Sequence, residues 1–418
     1  MPRSLASRWS ALGASIGLAL GCSPASPGEG AAPASSPPAT SATAAATTPA
    51  PSPSSTAPLA APSPPRGAVE AVELGGANLC AQEEGSVWCV GDWPVPFGQN
   101  GVRNQGLRKP MAVGGGLTAV KRMAVAQHRA CAIVGQGAVE CWGNTTPTAF
   151  GWTGASEGRL DAVAVPGLTD VVSLALGASG SCALTSAGKV TCWGPVFRPA
   201  VAGTKTLPPM RTLAIDGVKQ IDASGFGMCA LRHDGTVHCT GLGAPSASAP
   251  LDEALGPVVG LAGATQIAVG GSSGCALHAS GEVSCWGANG SGQLGDGTLD
   301  ERKGAVRVRD LKDAVAIDSG HDFSCALTRD DRVVCWGHAG SCVLGDEHRA
   351  CVKKKMGSTM GEVEIELCPL PQRITLPISP KKISVGSSTG CATDAAGKVA
   401  CWGRSLTESP AGCTGSPL

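Results

Sequence analysis

Cys275-Ala276-Leu277-His278-Ala279-Ser280-Gly281-Glu282-Val283-Ser284-Cys285-Trp286-Gly287 contains two short apolar runs separated by a small, glycine-bearing turn. That is the pattern of a β-hairpin. A near copy runs from Cys182-Ala183-Leu184 through Gly188-Lys189-Val190-Thr191-Cys192-Trp193-Gly194. Working outward, the first cysteine of the pattern falls at Cys80, Cys131, Cys182, Cys229, Cys275, Cys325 and Cys391. Its companion falls at Cys89, Cys141, Cys192, Cys239, Cys285, Cys335 and Cys401. Successive copies lie 51, 51, 47, 46, 50 and 66 residues apart, and a period near 50 marks a propeller or a solenoid. Strand-like runs such as Val171 to Leu176 precede the hairpins, and no long run of helical period follows residue 24.

The cysteine spacing carries a geometric argument. A three-residue loop Ser186-Ala187-Gly188 makes Thr185 and Lys189 the first hydrogen-bonded pair. Counting outward, Cys182 faces Cys192 in a non-hydrogen-bonded pair, where Cα atoms approach to about 4.5 Å, within disulfide reach. In the first copy the spacing is nine instead of ten, and a two-residue Glu84-Gly85 loop restores the same kind of pair between Cys80 and Cys89. Loop length changes while parity survives, which free thiols would not require. Reduced, buried cysteines and metal ligands are the alternatives, but a hairpin pair supplies only two of the four ligands zinc takes.

The repeat resembles that of the regulator-of-chromosome-condensation (alpha-tubulin suppressor-like) family. In that family a glycine-rich turn, an Ala-Leu strand, a Gly-x-Val hairpin and a Trp-Gly pair precede Asn-x-x-Gly-Gln-Leu-Gly. The fifth copy carries it nearly whole, from Gly270 to Leu277, Gly281-Glu282-Val283, Trp286-Gly287 and Asn289-Gly290-Ser291-Gly292-Gln293-Leu294-Gly295. The sixth copy has Cys342-Val343-Leu344-Gly345 in the last motif, and copies one and four lack the tryptophan. The resemblance covers residues 67 to about 404 and implies an all-β, seven-bladed β-propeller, here with one hairpin disulfide per blade. Trp142, Trp193, Trp286, Trp336 and Trp402 are expected to fill the gaps between blades. Residues 67 to 76 and the segment after Trp402 are expected to complete one shared blade.

Nineteen cysteines in a chain of this length point to an oxidising compartment. Seven pairs use fourteen. Arg3 and Arg8, the apolar stretch Ala11 to Gly21 and the run Leu18-Ala19-Leu20-Gly21-Cys22 read as a lipoprotein-type export signal over 1–21, with Cys22 the acylated residue; an ordinary signal peptide cut nearby is the alternative. Cys342, Cys351, Cys368 and Cys413 remain, with three possible pairings. Residues 22–66 are almost wholly Ser, Pro, Ala, Thr and Gly, a composition that cannot bury a core. They read as a disordered tether that extends to roughly 130 Å at about 3.1 Å per residue. The propeller is assigned to 67–404, with an insertion at 338–378, and a tail to 405–418.

Lys and Arg number 32 and so do Asp and Glu, so the chain lacks the basic excess that nucleic-acid binding draws on. Gly290 to Gly295 matches G-x-G-x-x-G, and Gly154 to Gly158 matches G-x-S-x-G, but neither is followed by a helix, so neither reads as a nucleotide or nucleophile site. The seven histidines (128, 233, 238, 278, 321, 338 and 348) form no triad or metal pattern, although His338 and His348 flank Cys342 and Cys351, where a metal is an alternative to a stapled loop. No carboxylate or histidine is found recurring at a fixed repeat position, which argues against an enzyme, and no cofactor is expected. The single-copy insertion carries Lys353, Lys354 and Lys355, then Glu362, Glu364 and Glu366, and is the expected partner-binding loop. The reading is a monomeric, non-enzymatic binding or scaffold protein of the cell envelope. It touches the membrane through its lipid alone, at the outer membrane in a Gram-negative cell, and its protein partner is unnamed. A secreted enzyme inhibitor of propeller fold, or a propeller hydrolase or lyase, is the alternative. Nucleotide exchange on a small nuclear GTPase, the family's best-known activity, does not suit an exported chain.

Overall fold

In a computed structural model of the chain, the described residues are 68–91, 107–115, 117–127, 129–143, 159–178, 180–194, 210–225, 227–240, 255–338, 351–358 and 361–403. Every regular element among them is a strand. Blade one comprises β1 (Ala71–Gly75), β2 (Asn78–Glu83), β3 (Ser86–Gly91) and β4 (Leu107–Ala112). Blade two comprises β5 (Val120–Val125), β6 (Arg129–Val134), β7 (Ala138–Gly143) and β8 (Arg159–Ala164). Blade three follows with β9 (Val171–Leu176), β10 (Ser181–Thr185), β11 (Val190–Trp193) and β12 (Arg211–Thr212). Blade four has β13 (Val218–Ser224), β14 (Gly227–Arg232), β15 (Val237–Thr240) and β16 (Gly256–Pro257). Blade five has β17 (Ala264–Val269), β18 (Ser273–His278), β19 (Val283–Gly287) and β20 (Arg302–Arg307). Blade six has five strands, β21 (Ala314–Ser319), β22 (Phe323–Thr328), β23 (Val333–His338), β24 (Val352–Ser358) and β25 (Gly361–Ile374), in the order β21-β22-β23-β25-β24. Blade seven shows three, β26 (Lys382–Val385), β27 (Thr389–Thr393) and β28 (Val399–Gly403).

The hairpin register follows the parity of the cysteines. Thr185 N–H donates to Lys189 O at 2.9 Å, and Leu184 faces Val190, Ala183 faces Thr191 and Cys182 faces Cys192. In blade one Glu83 faces Ser86 across a turn whose two residues both have positive φ (Glu84 47°, Gly85 77°), so Cys80 faces Cys89. All seven pairs are disulfides, with Cα–Cα distances of 4.0 to 4.2 Å. An eighth bridge joins Cys351 to Cys368, which resolves part of the pairing left open above. Cys22, Cys342 and Cys413 lie outside the described residues. Eight bridges fit an oxidising, exported environment.

The bridges pack between blades. Trp142 shares a core cluster with Cys80 and Cys89 of the preceding blade, and Trp193 with Cys131 and Cys141. Trp286, Trp336 and Trp402 lie likewise against the half-cystines of blades four, five and six. Where the tryptophan is missing, smaller groups stand in. Met228 and Ile221 cover the blade-three bridge, and Leu74, Leu79 and Val90 pack with Cys391.

Ring closure differs from the expectation of a shared blade. Residues 71–75 form the inner strand of blade one and pair with β2, while the segment after Gly403 lies outside the described residues. The first and last blades meet through packing of β1 on β26 and β27 and through four hydrogen bonds, one of them from Lys382 Nζ to Glu70 O (3.2 Å). Leu74 N–H donates to Ser384 Oγ (2.9 Å), Ser387 N–H to Gly76 O (2.8 Å) and Val69 N–H to Gly397 O (3.1 Å). The hairpin of blade one already occupies β1's pairing edge, so that edge is not free for a distant strand.

Candidate functional site

The inner strands of the seven blades surround a central channel of about 480 Å³. Each has a residue directly opposite the first half-cystine of its blade, seven positions earlier in the chain. In order these are Glu73, Ala124, Ala175, Asp222, Ala268, Asp318 and Ser384. The reading of the repeat as free of recurring carboxylates is therefore corrected. Three of seven copies carry one at this position, and counting seven residues back from each first cysteine would have found them. All three line the channel, with Arg122, Ser384 and the rim residue His321.

Two of these carboxylates answer a need of the fold. An inner strand has no sheet neighbour on its channel side, so its outward N–H groups need acceptors. Asp222 Oδ1 accepts from the Ala223 N–H (2.8 Å) and Oδ2 from the Val269 N–H of blade five (2.7 Å). Asp318 repeats this with Ser319 (2.8 Å) and with Val385 of blade seven (2.7 Å). Gln220 and Gln266 make paired carboxamide bonds to the Ile267 and Ile317 backbones of the next blades. Glu73 makes no hydrogen bond among the described residues.

The channel alters the acidity of all three. Burial pushes Glu73 up to about 7, with the charge of Asp222 adding to the rise and Arg122 and Lys382 opposing it. Burial likewise pushes Asp222 up to about 7 against the two N–H bonds it accepts. Asp318 stands well above the usual carboxylate range through burial first, then through Asp222 and Glu73. At the rim His321 Nδ1 pairs with Asp322 at 3.0 Å; that hydrogen bond raises the histidine and lowers the aspartate. Channel chemistry is thus acid–base in character. Its serine at the recurring position, Ser384, is occupied by Leu74 N–H. Among the described residues no group of three His, Cys, Asp or Glu is placed to hold a metal ion.

A buried cation escaped the sequence reading. Arg129 is 5% exposed and sits at the start of β6. Its guanidinium donates to Gly177 O (2.7 Å), Gly180 O (2.6 Å) and Ser181 Oγ (3.1 Å) of blade three, and burial holds it down to about 10. It staples two blades. The only sign of it in the sequence is an arginine two residues before a half-cystine, where the other copies have no charge.

The segment expected as an insertion divides in two. The later part of β25 is the fourth strand of blade six, pairing Cys335 with Gln372 and Val333 with Ile374. Its earlier part turns outward as a hairpin with β24, closed at its base by Cys351–Cys368. Lys353, Lys354 and Lys355 are exposed on β24, as is Glu364 on β25, and Glu366 is half-buried. Glu362 also lies on β25, facing Gly357. Lys353 stands opposite Glu366 and Lys355 opposite Glu364, and Lys353 Nζ reaches Glu364 Oε1 at 3.1 Å. The charges therefore form a cross-strand ladder instead of a one-signed patch. Cys342 and His348 lie outside the described residues, as does Gly154–Gly158.

The Gly290–Gly295 loop is structural. Asn289 Oδ1 accepts the Leu294 N–H (3.0 Å), Gln293 O accepts the Trp336 indole N–H (2.9 Å), and Gly297 N–H donates to Pro369 O (3.0 Å). It seals blade five against blade six.

Comparison with known proteins agrees with this architecture. Models of the regulator of chromosome condensation (RCC1) repeat match residues 264–293, 314–342 and 280–327. Among curated proteins none matches in sequence. Yeast RCC1 (Prp20), solved bound to Kap60, is similar in structure, with a TM-score of 0.60 and 20% identity over 84% of this chain and 85% of that one. Human WBSCR16 is similar at a TM-score of 0.60 and 18% identity, over 77% of this chain and 86% of that one. At these identities the likeness speaks for the fold.

Proposed function

The chain belongs to the regulator-of-chromosome-condensation repeat family, and from that premise we propose that it is an exported, lipid-anchored binding protein that docks a protein partner on the blade-six hairpin. One observation carries the reading. Among the described residues the hairpin of β24 and the start of β25 extends one blade only, and the Cys351–Cys368 bridge pins its base. Features that recur around the ring, namely a bridge in every blade, a tryptophan in five and inner-strand caps in several, serve packing. A single-copy, covalently held projection has no such duty. Pre-ordering by the bridge lowers the entropy lost on docking. The paired Lys and Glu ladder favours a partner that reads alternating charge and backbone over one drawn by net charge.

Cys22 carries the anchor in this proposal, and residues 23–66 place the propeller away from the membrane. The support is the Leu18–Cys22 run, the composition of 23–66 and the number of disulfides. Mass spectrometry of the native N-terminus should find acylated Cys22; an unmodified start further along would refute the anchor.

Docking is tested by replacing residues 353–366 with Asn-Gly. Val352 then still faces Leu367, and Cys351 still faces Cys368. Crosslinking in intact cells should recover a defined partner with the full chain and lose it with the shortened one. Full retention would move the site to another rim.

A further inference from the structure

Glu73, Asp222 and Asp318 belong to blades one, four and six and share a space only because the ring closes. Asp222 bridges blade four to five, and Asp318 bridges blade six to seven. Among the described residues no cation forms an ion pair with any of the three. The charged groups facing them are few. Arg122 on β5 and Lys382 on β26 lie near Glu73, and His321 at the rim is engaged with Asp322. Full ionisation would place three like charges around a narrow channel whose backbone walls offer each aspartate two N–H groups and offer Glu73 none.

We propose that the channel holds a proton at neutral pH, shared among Glu73, Asp222 and Asp318, and that its release weakens the closed ring, making propeller stability a function of external pH. The three titrate as a coupled set, so the proton belongs to the cluster and not to one residue. Glu73 can carry it at least structural cost, because both oxygens of each aspartate are already engaged by backbone donors.

The direction follows from linkage. Each group binds its proton more tightly in the folded chain than in the unfolded one, where carboxyls titrate near 4. From about pH 4 to about pH 7 the folded state holds extra protons, so stability is highest at the acid end and falls as pH rises. His321, raised by Asp322, loses its contribution above its own folded value, in the same direction. A variant must separate the two.

The thermal midpoint of the full oxidised chain is measured from pH 4.5 to 8.5, for wild type, Glu73→Gln and His321→Gln. The expected wild-type fall between pH 5 and 8 is on the order of 10 °C. Glu73→Gln removes one charge and no hydrogen bond. It should lose no more than half as much and should exceed wild type at pH 8. His321→Gln should retain most of the wild-type fall. Parallel curves for wild type and Glu73→Gln, or a Glu73→Gln protein less stable at pH 8, would overturn the proposal. A second measurement needs no variant: potentiometric titration on unfolding at pH 6 should show protons released. Uptake would overturn it equally.

Discussion

Removing one blade bridge tests how far the hairpin disulfides hold the ring. In the double substitution Cys275→Ala and Cys285→Ala, the lost cross-link closes a loop of ten residues. Chain-entropy treatment assigns such a loop about 2.7 kcal/mol. The bridge also forms the floor under Trp336, which is fully buried and anchored by its indole N–H to Gln293 O. Deleting two sulfur atoms there leaves on the order of 40 Å³ that a fixed indole cannot fill, or about 1 kcal/mol more. The total is about 4 kcal/mol. For a propeller of this size that is about 5 °C in thermal midpoint, if the ring unfolds as one unit. The matching pair at Cys391 and Cys401 gives a contrast. Its neighbours in blade one are Leu74, Leu79 and Val90, which can repack, so the cross-link contribution should remain and the cavity contribution shrink. The assay is thermal unfolding of the oxidised proteins, with thiol titration of wild type as control. A loss below about 1 kcal/mol in the first variant, or free thiols at Cys275 and Cys285 in wild type, would refute the reasoning.

Three further outcomes are expected. With eight bridges formed and Cys22 acylated, Cys342 and Cys413 are the only cysteines left of nineteen, so non-reducing peptide mapping should link them; finding either joined to Cys351 or Cys368 would contradict the assignment. Arg129→Met leaves the Gly177 and Gly180 carbonyls without their charged donor and should cost about 3 kcal/mol in denaturant unfolding, whereas a loss under about 1 kcal/mol would mean water replaces the guanidinium. Gly292→Ala should destabilise by about 1–3 kcal/mol, because φ is +79° and a Cβ would meet Pro369 Cα at 2.8 Å, while Gly290→Ala, with nothing within 4 Å, should be neutral; equal effects would refute the packing role of this loop.

The hairpins were legible because their information is local. The Cys182–Cys192 pairing depends on a turn and a count of residues, and both are written in consecutive positions. The same holds for Trp193, one residue beyond the cysteine, whose side follows from strand alternation. The Asn289–Gly295 loop is a strand-to-strand connection, as the lack of any helical run after it implies, and its contacts are with blade six. Arg129 was not legible. A lone arginine in a β-run reads as an exposed side chain until the carbonyls of another blade, some fifty residues away, are found around it.

By itself, the amino-acid sequence determined the number of blades, the strands at the centre of each, the seven bridges and the tryptophans that sit on them. Each of these is set by spacing within one repeat, and repetition multiplies the signal. Only the tertiary structure decided how the ring closes, that the last part of the long segment after His338 is blade six's own fourth strand, and that Lys353 and Lys355 face glutamates. It alone gathered Glu73, Asp222 and Asp318 into one channel. Those are properties of closure. Residues as far apart as Glu73 and Asp318 acquire a shared field only when seven blades form a circle, and no one-dimensional pattern measures distance across it.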